Sequence, residues 1–135
     1  MTNGHSDQTT EGIRIQVSAQ YLPEQSAPDQ RRYAYVYRVR ITNEGEEWAK
    51  LLSRRWVIRD ADGETEVVEG PGVIGETPEL EPGDSHEYMS SCPLPTEWGT
   101  MEGHYVMQRR DGRTFDAAIG RFFLTRTTEL FSSQG

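Results

Sequence analysis

Over residues 13–21 the side chains of Ile13, Ile15, Val17, Ala19 and Tyr21 alternate with those of Arg14, Gln16, Ser18 and Gln20. A period of two puts one face of a strand on a core and the other in water. The pattern returns over residues 33–42, where Tyr33, Tyr35, Tyr37, Val39 and Ile41 share a face and Arg32, Arg38 and Arg40 fall on the other. Aromatic and β-branched residues favour that pleated, half-buried setting. Pro23 and Pro28 stand between the two runs, where they exclude a helix and the central positions of a ladder.

Asn43-Glu44-Gly45 is a turn signal. The chain then runs as a strand over residues 51–59, turns at Asp60-Ala61-Asp62-Gly63 and returns over residues 64–69, which is the pattern of a hairpin. A turn at Leu80-Glu81-Pro82-Gly83-Asp84 leads into a strand over residues 86–92. Strands over residues 103–109 and 113–119 flank Asp111-Gly112, a dipeptide that closes hairpins. Residues 122–125 add a last edge segment. No window shows apolar spacing of three and four residues, so no helix longer than two turns is predicted. About seven short strands with turn signals roughly every 8–12 residues describe an antiparallel two-sheet sandwich, with a closed barrel as its competitor.

The most distinctive stretch is LLSRRWVIRDADGETEVVEGPGVIGETP, from Leu51 to Pro78. It resembles the bacterial ApaG proteins, whose members carry LLSR-[HR]-W, a D-x-[DN]-G turn and a GPGV-[VI]-GE loop in this order. The resemblance covers roughly residues 13–124 and decides between the two architectures. It implies an all-β, immunoglobulin-like or fibronectin type III-like sandwich over residues 12–126. Residues 1–11 and 127–135, rich in Ser, Thr, Gln and Gly, read as flexible tails outside it. The resemblance also brings a link to cobalt and magnesium efflux, and a frequent gene neighbour that hydrolyses diadenosine tetraphosphate. Related domains occur in eukaryotic proteins built for interaction, including an F-box protein and a polymerase-delta-interacting protein. Where many members have His, this chain has Arg55.

Composition narrows the function classes. A chain of 135 residues, 34% hydrophobic and 27% charged, is one domain that buries roughly two-thirds of its unfolded surface. Its apolar runs are far shorter than the ~20 residues of a membrane-spanning helix. The first residues, MTNGHSDQTTEG, have neither the basic start nor the apolar core of a secretory signal. Cys92 is the only cysteine, so no internal disulfide forms, in keeping with a reducing, cytoplasmic compartment. Its sulfur reads as a small core group. The formal charge of -8 argues against nucleic-acid binding, which draws on clustered Lys and Arg. Lys50 is the only lysine; the rest of the positive charge is arginine, suited to bidentate contact with carboxylates and phosphates.

Gly70-Pro71-Gly72-Val73-Ile74-Gly75 satisfies G-x-G-x-x-G directly after a strand pattern. A pyrophosphate site of that kind needs a helix opening near the third glycine. Here Pro78 and Pro82 deny the helix, and Glu69, Glu76, Glu79 and Glu81 surround the loop with negative charge. The glycines therefore read as a tight inter-strand connection. His5, His86 and His104 are isolated, and Asp60, Asp62 and Glu64 lack the remaining ligands of a calcium loop; a hairpin turn explains them better. Ser53 and Cys92 carry no nucleophile-elbow motif, so no enzyme is expected.

What remains is recognition. Arg54 shares a face with Trp56, a core residue by pattern, while Arg55 takes the other face. Trp98 sits in a loop-like segment, where an exposed tryptophan can anchor a partner or cap the core. The predicted surface is Gly70, Gly72, Gly75 and Glu76 with Arg54 or Arg55, and Trp98 as a second point. The protein is read as a non-enzymatic, cytoplasmic protein-interaction module with no cofactor, no bound metal and no membrane partner. Its exposed edge strands leave a homodimer open. The competing reading is a sensor that binds a polyphosphate nucleotide, such as diadenosine tetraphosphate, or a divalent metal at residues 70–75.

Overall fold

A computed structural model describes residues 4–126. Its nine strands are β1 (His5–Thr10), β2 (Ile13–Tyr21), β3 (Tyr33–Asn43), β4 (Ala49–Asp60), β5 (Thr65–Pro71), β6 (Glu79–Leu80), β7 (Ser85–Leu94), β8 (Gly99–Gln108) and β9 (Thr114–Leu124). They form two antiparallel sheets, one in the order β1-β2-β3-β7 and the other β5-β4-β8-β9, with the short β6 paired to β4. The all-β sandwich expected from the alternation is present. Pro23 and Pro28 each open a single 3-10 turn, at Pro23–Gln25 and Pro28–Gln30. Proline is tolerated at the first position of a helical turn because its missing N–H would have no partner there.

The period-two faces become the core. Ile13, Ile15 and Val17 of β2 meet Tyr35, Tyr37, Val39 and Ile41 of β3, and all are buried. Opposite them lie Leu51 and Trp56 of β4, Met101, Tyr105 and Met107 of β8, and Ala117, Ile119, Phe122 and Leu124 of β9. Trp56 is the hub: its ring meets Tyr37, Tyr105 and Phe122 edge-on at centroid separations of 5.2, 6.4 and 6.1 Å.

Two expectations change. Residues 5–10, read as part of a tail, are strand β1, paired with β2 from His5↔Ser18 to Thr10↔Ile13. The strand HSDQTT has no apolar alternation, and it is held by its ladder and by a cross-strand ion pair, Arg14 Nη2 to Asp7 Oδ2 at 2.6 Å. It also lies against β9, where the Ala118 N–H donates to Thr10 Oγ1. Residues 122–125, read as a separate segment, continue β9 through Leu124. The tail expected at residues 127–135 lies outside the described residues.

Cys92 is buried in the core, and burial pushes its thiol up to about 12. At pH 8 that leaves about one thiolate in ten thousand. Folded protein should therefore resist iodoacetamide at pH 8, and denatured protein should be alkylated within minutes; mass spectrometry of the two samples checks this, and equal labelling would show an open core.

Candidate functional site

The glycine segment starts where β5 ends at Pro71. The Gly72 N–H donates to the Leu52 carbonyl at 2.8 Å, and Val73 and Glu76 exchange two backbone hydrogen bonds of 2.8 and 2.9 Å. The two residues between them, Ile74 at φ +48° and Gly75 at φ +77°, are both left-handed, as a type I′ turn requires. Gly72, at φ +61°, is crowded as well, since a Cβ there would lie 2.3 Å from the Glu76 carbonyl oxygen. The N–H groups of Gly72, Val73 and Glu76 are thus committed within the loop and to β4, and the next regular element is the short strand β6. A pyrophosphate would find neither a helix terminus nor a full set of free amides here.

Val73 is buried and anchors the turn in the core, which leaves Ile74 at its tip, 61% exposed. A β-branched residue in the left-handed region is a steric outlier. With most of its surface in water, it gains little from packing.

Arg54 braces the loop from β4. Its Nη1 donates to the carbonyls of Pro71 and Gly72, each at 2.9 Å. The absent side chain of Gly70 makes the room, because a Cβ there would approach the guanidinium to 3.0 Å. Arg54 shares the Trp56 face, and Arg55 takes the outer face of the sheet as the alternation predicts. Arg55 Nε donates to Glu69 Oε2 at 2.9 Å, and Arg55 stands opposite His104 in the ladder. Arg55 therefore belongs to a surface row with Glu69 and His104, and only Arg54 joins the loop. Trp98 does not join it either. It stands beside Gly99, which pairs with Asp60, whereas the loop adjoins Ser53, so about 20 Å of β4 separates them. Trp98 is 45% exposed and stacks on Phe123 at 6.2 Å.

The structure adds what the chain order conceals. Between the two sheets, at the side opposite β1, a cleft of about 330 Å³ opens. Arg54 and Trp56 line it from β4, Pro71, Val73, Ile74 and Gly75 from the loop, and Tyr37, Tyr88 and Ser90 from β3 and β7. Tyr37 and Tyr88 both titrate above the ordinary phenol range, chiefly because burial disfavours the phenolate. Their hydroxyls therefore stay protonated at neutral pH. Tyr88 and Tyr105 share a hydroxyl–hydroxyl hydrogen bond behind the cleft wall. Tyrosines at period two foretell a core, but not that two from one sheet would converge with an arginine from the other.

Other sequence leads resolve as structure. Asp60 Oδ1 accepts from the N–H groups of Asp62 and Glu64, and Gly63 N–H donates to the Asp60 carbonyl, closing the β4–β5 hairpin. No group of three or more His, Cys, Asp or Glu side chains converges among the described residues. Among the same residues, no helix is long and apolar enough to cross a membrane.

Two antiparallel sheets, a self-closed glycine turn and a brace from the paired strand define a β-sandwich domain with a cleft between its sheets. The family described as the ApaG domain matches residues 23–109. A Protein ApaG of Mesorhizobium japonicum is 49% identical over 115 residues, covering 85% of this chain and 88% of the relative. One from Pseudomonas aeruginosa is 50% identical over 116 residues, covering 86% and 92%. A crystal structure of a Bordetella pertussis protein called ApaA superposes with a TM-score of 0.82 at 39% identity, covering 93% of this chain and 97% of that one. The chain belongs to the ApaG family.

Proposed function

We propose that this chain is a non-enzymatic protein-interaction module of the ApaG type, an immunoglobulin-like or fibronectin type III-like sandwich that captures a polypeptide partner in the cytoplasm at the 70–76 loop and its cleft. The role that suits such a module is regulatory, with cobalt and magnesium tolerance as the process that the family resemblance implies. One observation carries the reading: Ile74 is held at φ +48° with 61% of its surface exposed at the mouth of the cleft. Backbone strain persists where the surroundings over-determine it and often accompanies function. An apolar side chain fixed in water beside a cleft suits contact with a partner.

The test sets stability against binding. Ile74→Asn places the favoured Asn-Gly pair in the type I′ turn, so it should stabilise the domain by about 1 kcal/mol while abolishing partner capture. A photo-crosslinking amino acid at position 74 should trap one partner in cells, and the same probe at Asp62, on the β4–β5 hairpin, should not. The proposal fails if position 74 yields no adduct, or the same adduct as position 62.

The sensor reading draws on the cationic cleft. Its volume sits at the low end for ligand cavities, and Glu69 and Glu76 flank the loop. Both features disfavour a polyphosphate nucleotide. A ¹⁵N–¹H spectrum titrated with Mg²⁺, Co²⁺, ATP and diadenosine tetraphosphate separates the readings, since a sensor requires saturable shifts confined to residues 70–76 and Arg54.

A further inference from the structure

We infer that the cleft is a carboxylate site, filled by the acidic side chain of an extended segment of the partner polypeptide; this deepens the interaction reading above and rests on it. Among the described residues, the polar groups on its walls have donors to spare and none carries a negative charge. Tyr105 is fully buried, and its hydroxyl has Tyr88 as its partner among the described residues. A buried O–H left without an acceptor is costly, so Tyr105 donates and the Tyr88 O–H is left for the cleft that Tyr88 lines. Tyr37 and Ser90 add two further hydroxyls to the same walls. The Trp56 Nε1–H is buried with no acceptor among the described residues.

Among the described residues, Arg54 is the only charged side chain on the cleft walls. Its Nη1 is engaged by Pro71 and Gly72. Among the described residues, Nε and Nη2 have no acceptor and no carboxylate pairs with the guanidinium. The Nε–Nη2 edge of a guanidinium matches a carboxylate in two parallel N–H···O bonds. Ile74 offers apolar surface to the stem that carries it, with the buried Trp56 ring and Val73 behind it. A single cation suits a monoanion better than a phosphate dianion, and a space of about 330 Å³ holds a side chain more readily than a nucleotide.

The source of the carboxylate follows from the sheet order. β5 and β7 are terminal strands in their sheets and lie on the cleft side. Unpaired edges offer backbone donors and acceptors to an extended chain, and a free organic acid would leave them unused.

The test titrates ¹⁵N-labelled protein with a blocked pentapeptide, acetyl-Thr-Val-Glu-Val-Thr-amide, with its Gln-for-Glu twin, and with 3-methylbutanoate. The Glu peptide should give saturable shifts at Ile74, Ser90 and the Trp56 Nε1–H, with the Gln twin at least tenfold weaker. Arg54→Gln should erase that difference. Equal shifts from the twins, or none from the Glu peptide, would overturn the carboxylate site, and the twin comparison does not depend on any variant folding. Binding of 3-methylbutanoate as tight as that of the Glu peptide would overturn the polypeptide source. An adduct at position 74 combined with a silent Glu peptide would sink this inference and leave the interaction module standing.

Discussion

Trp56→Ala is expected to lower the unfolding free energy by about 3–5 kcal/mol and the melting temperature by roughly 10–20 °C. The size of the effect comes from where the ring sits. It is 2% exposed and meets Tyr37 from one sheet and Tyr105 and Phe122 from the other, so its removal leaves a void between layers that no single neighbour can fill. Edge-on aromatic pairs add to the plain burial energy. Trp56→Phe keeps part of that packing and deletes an N–H that has no acceptor among the described residues, so it should cost less than half as much. Urea denaturation followed by circular dichroism measures both. A loss below about 1 kcal/mol for the alanine variant would mean the two sheets do not close on this ring.

Gly103→Ala should be the most damaging small substitution in the chain. An added Cβ would lie 1.9 Å from the Arg55 carbonyl oxygen, 2.9 Å from its carbon and 3.1 Å from the Trp56 Cα. All three are backbone atoms of the paired strand, so no rotamer change relieves the clash, and β8 must lift from β4 in mid-ladder. The expected result is a loss of at least about 3 kcal/mol, from overpacking combined with broken ladder bonds. Gly63→Ala is the comparison, because a Cβ there meets nothing within 4 Å and only the positive φ of 85° opposes it. That costs about 1 kcal/mol. Equal denaturation midpoints for the two variants would refute the close approach of β8 to β4.

These two positions also show what the chain discloses on reading. β2 and β3 are plain because both alternate without interruption from end to end. β9 is not, since its buried residues run Ala117, Ile119, then Phe122 and Leu124, and the phase break accompanies a bulge opposite Met101 and Gly103. One bent strand therefore looks like two. β4 hides a similar slip between Leu51 and Ser53, which accounts for inward residues five apart. β1 is illegible for another reason: a strand held by backbone pairing needs no apolar code. At the site, the pairing of Arg54 with the Trp56 face follows from alternation alone. The tyrosines of the facing sheet reach the cleft through a packing of layers that local pattern does not encode.

The β1 strand gives the domain a front and a back. With β1 laid against β9, the sandwich is seamed along one side, and the cleft and the free rims of β5 and β7 occupy the other. A fluorophore or a bead carried on an exposed β1 side chain such as that of Thr9 therefore stands behind the molecule as seen from the cleft. Tethered that way, the domain would meet an incoming chain face-first.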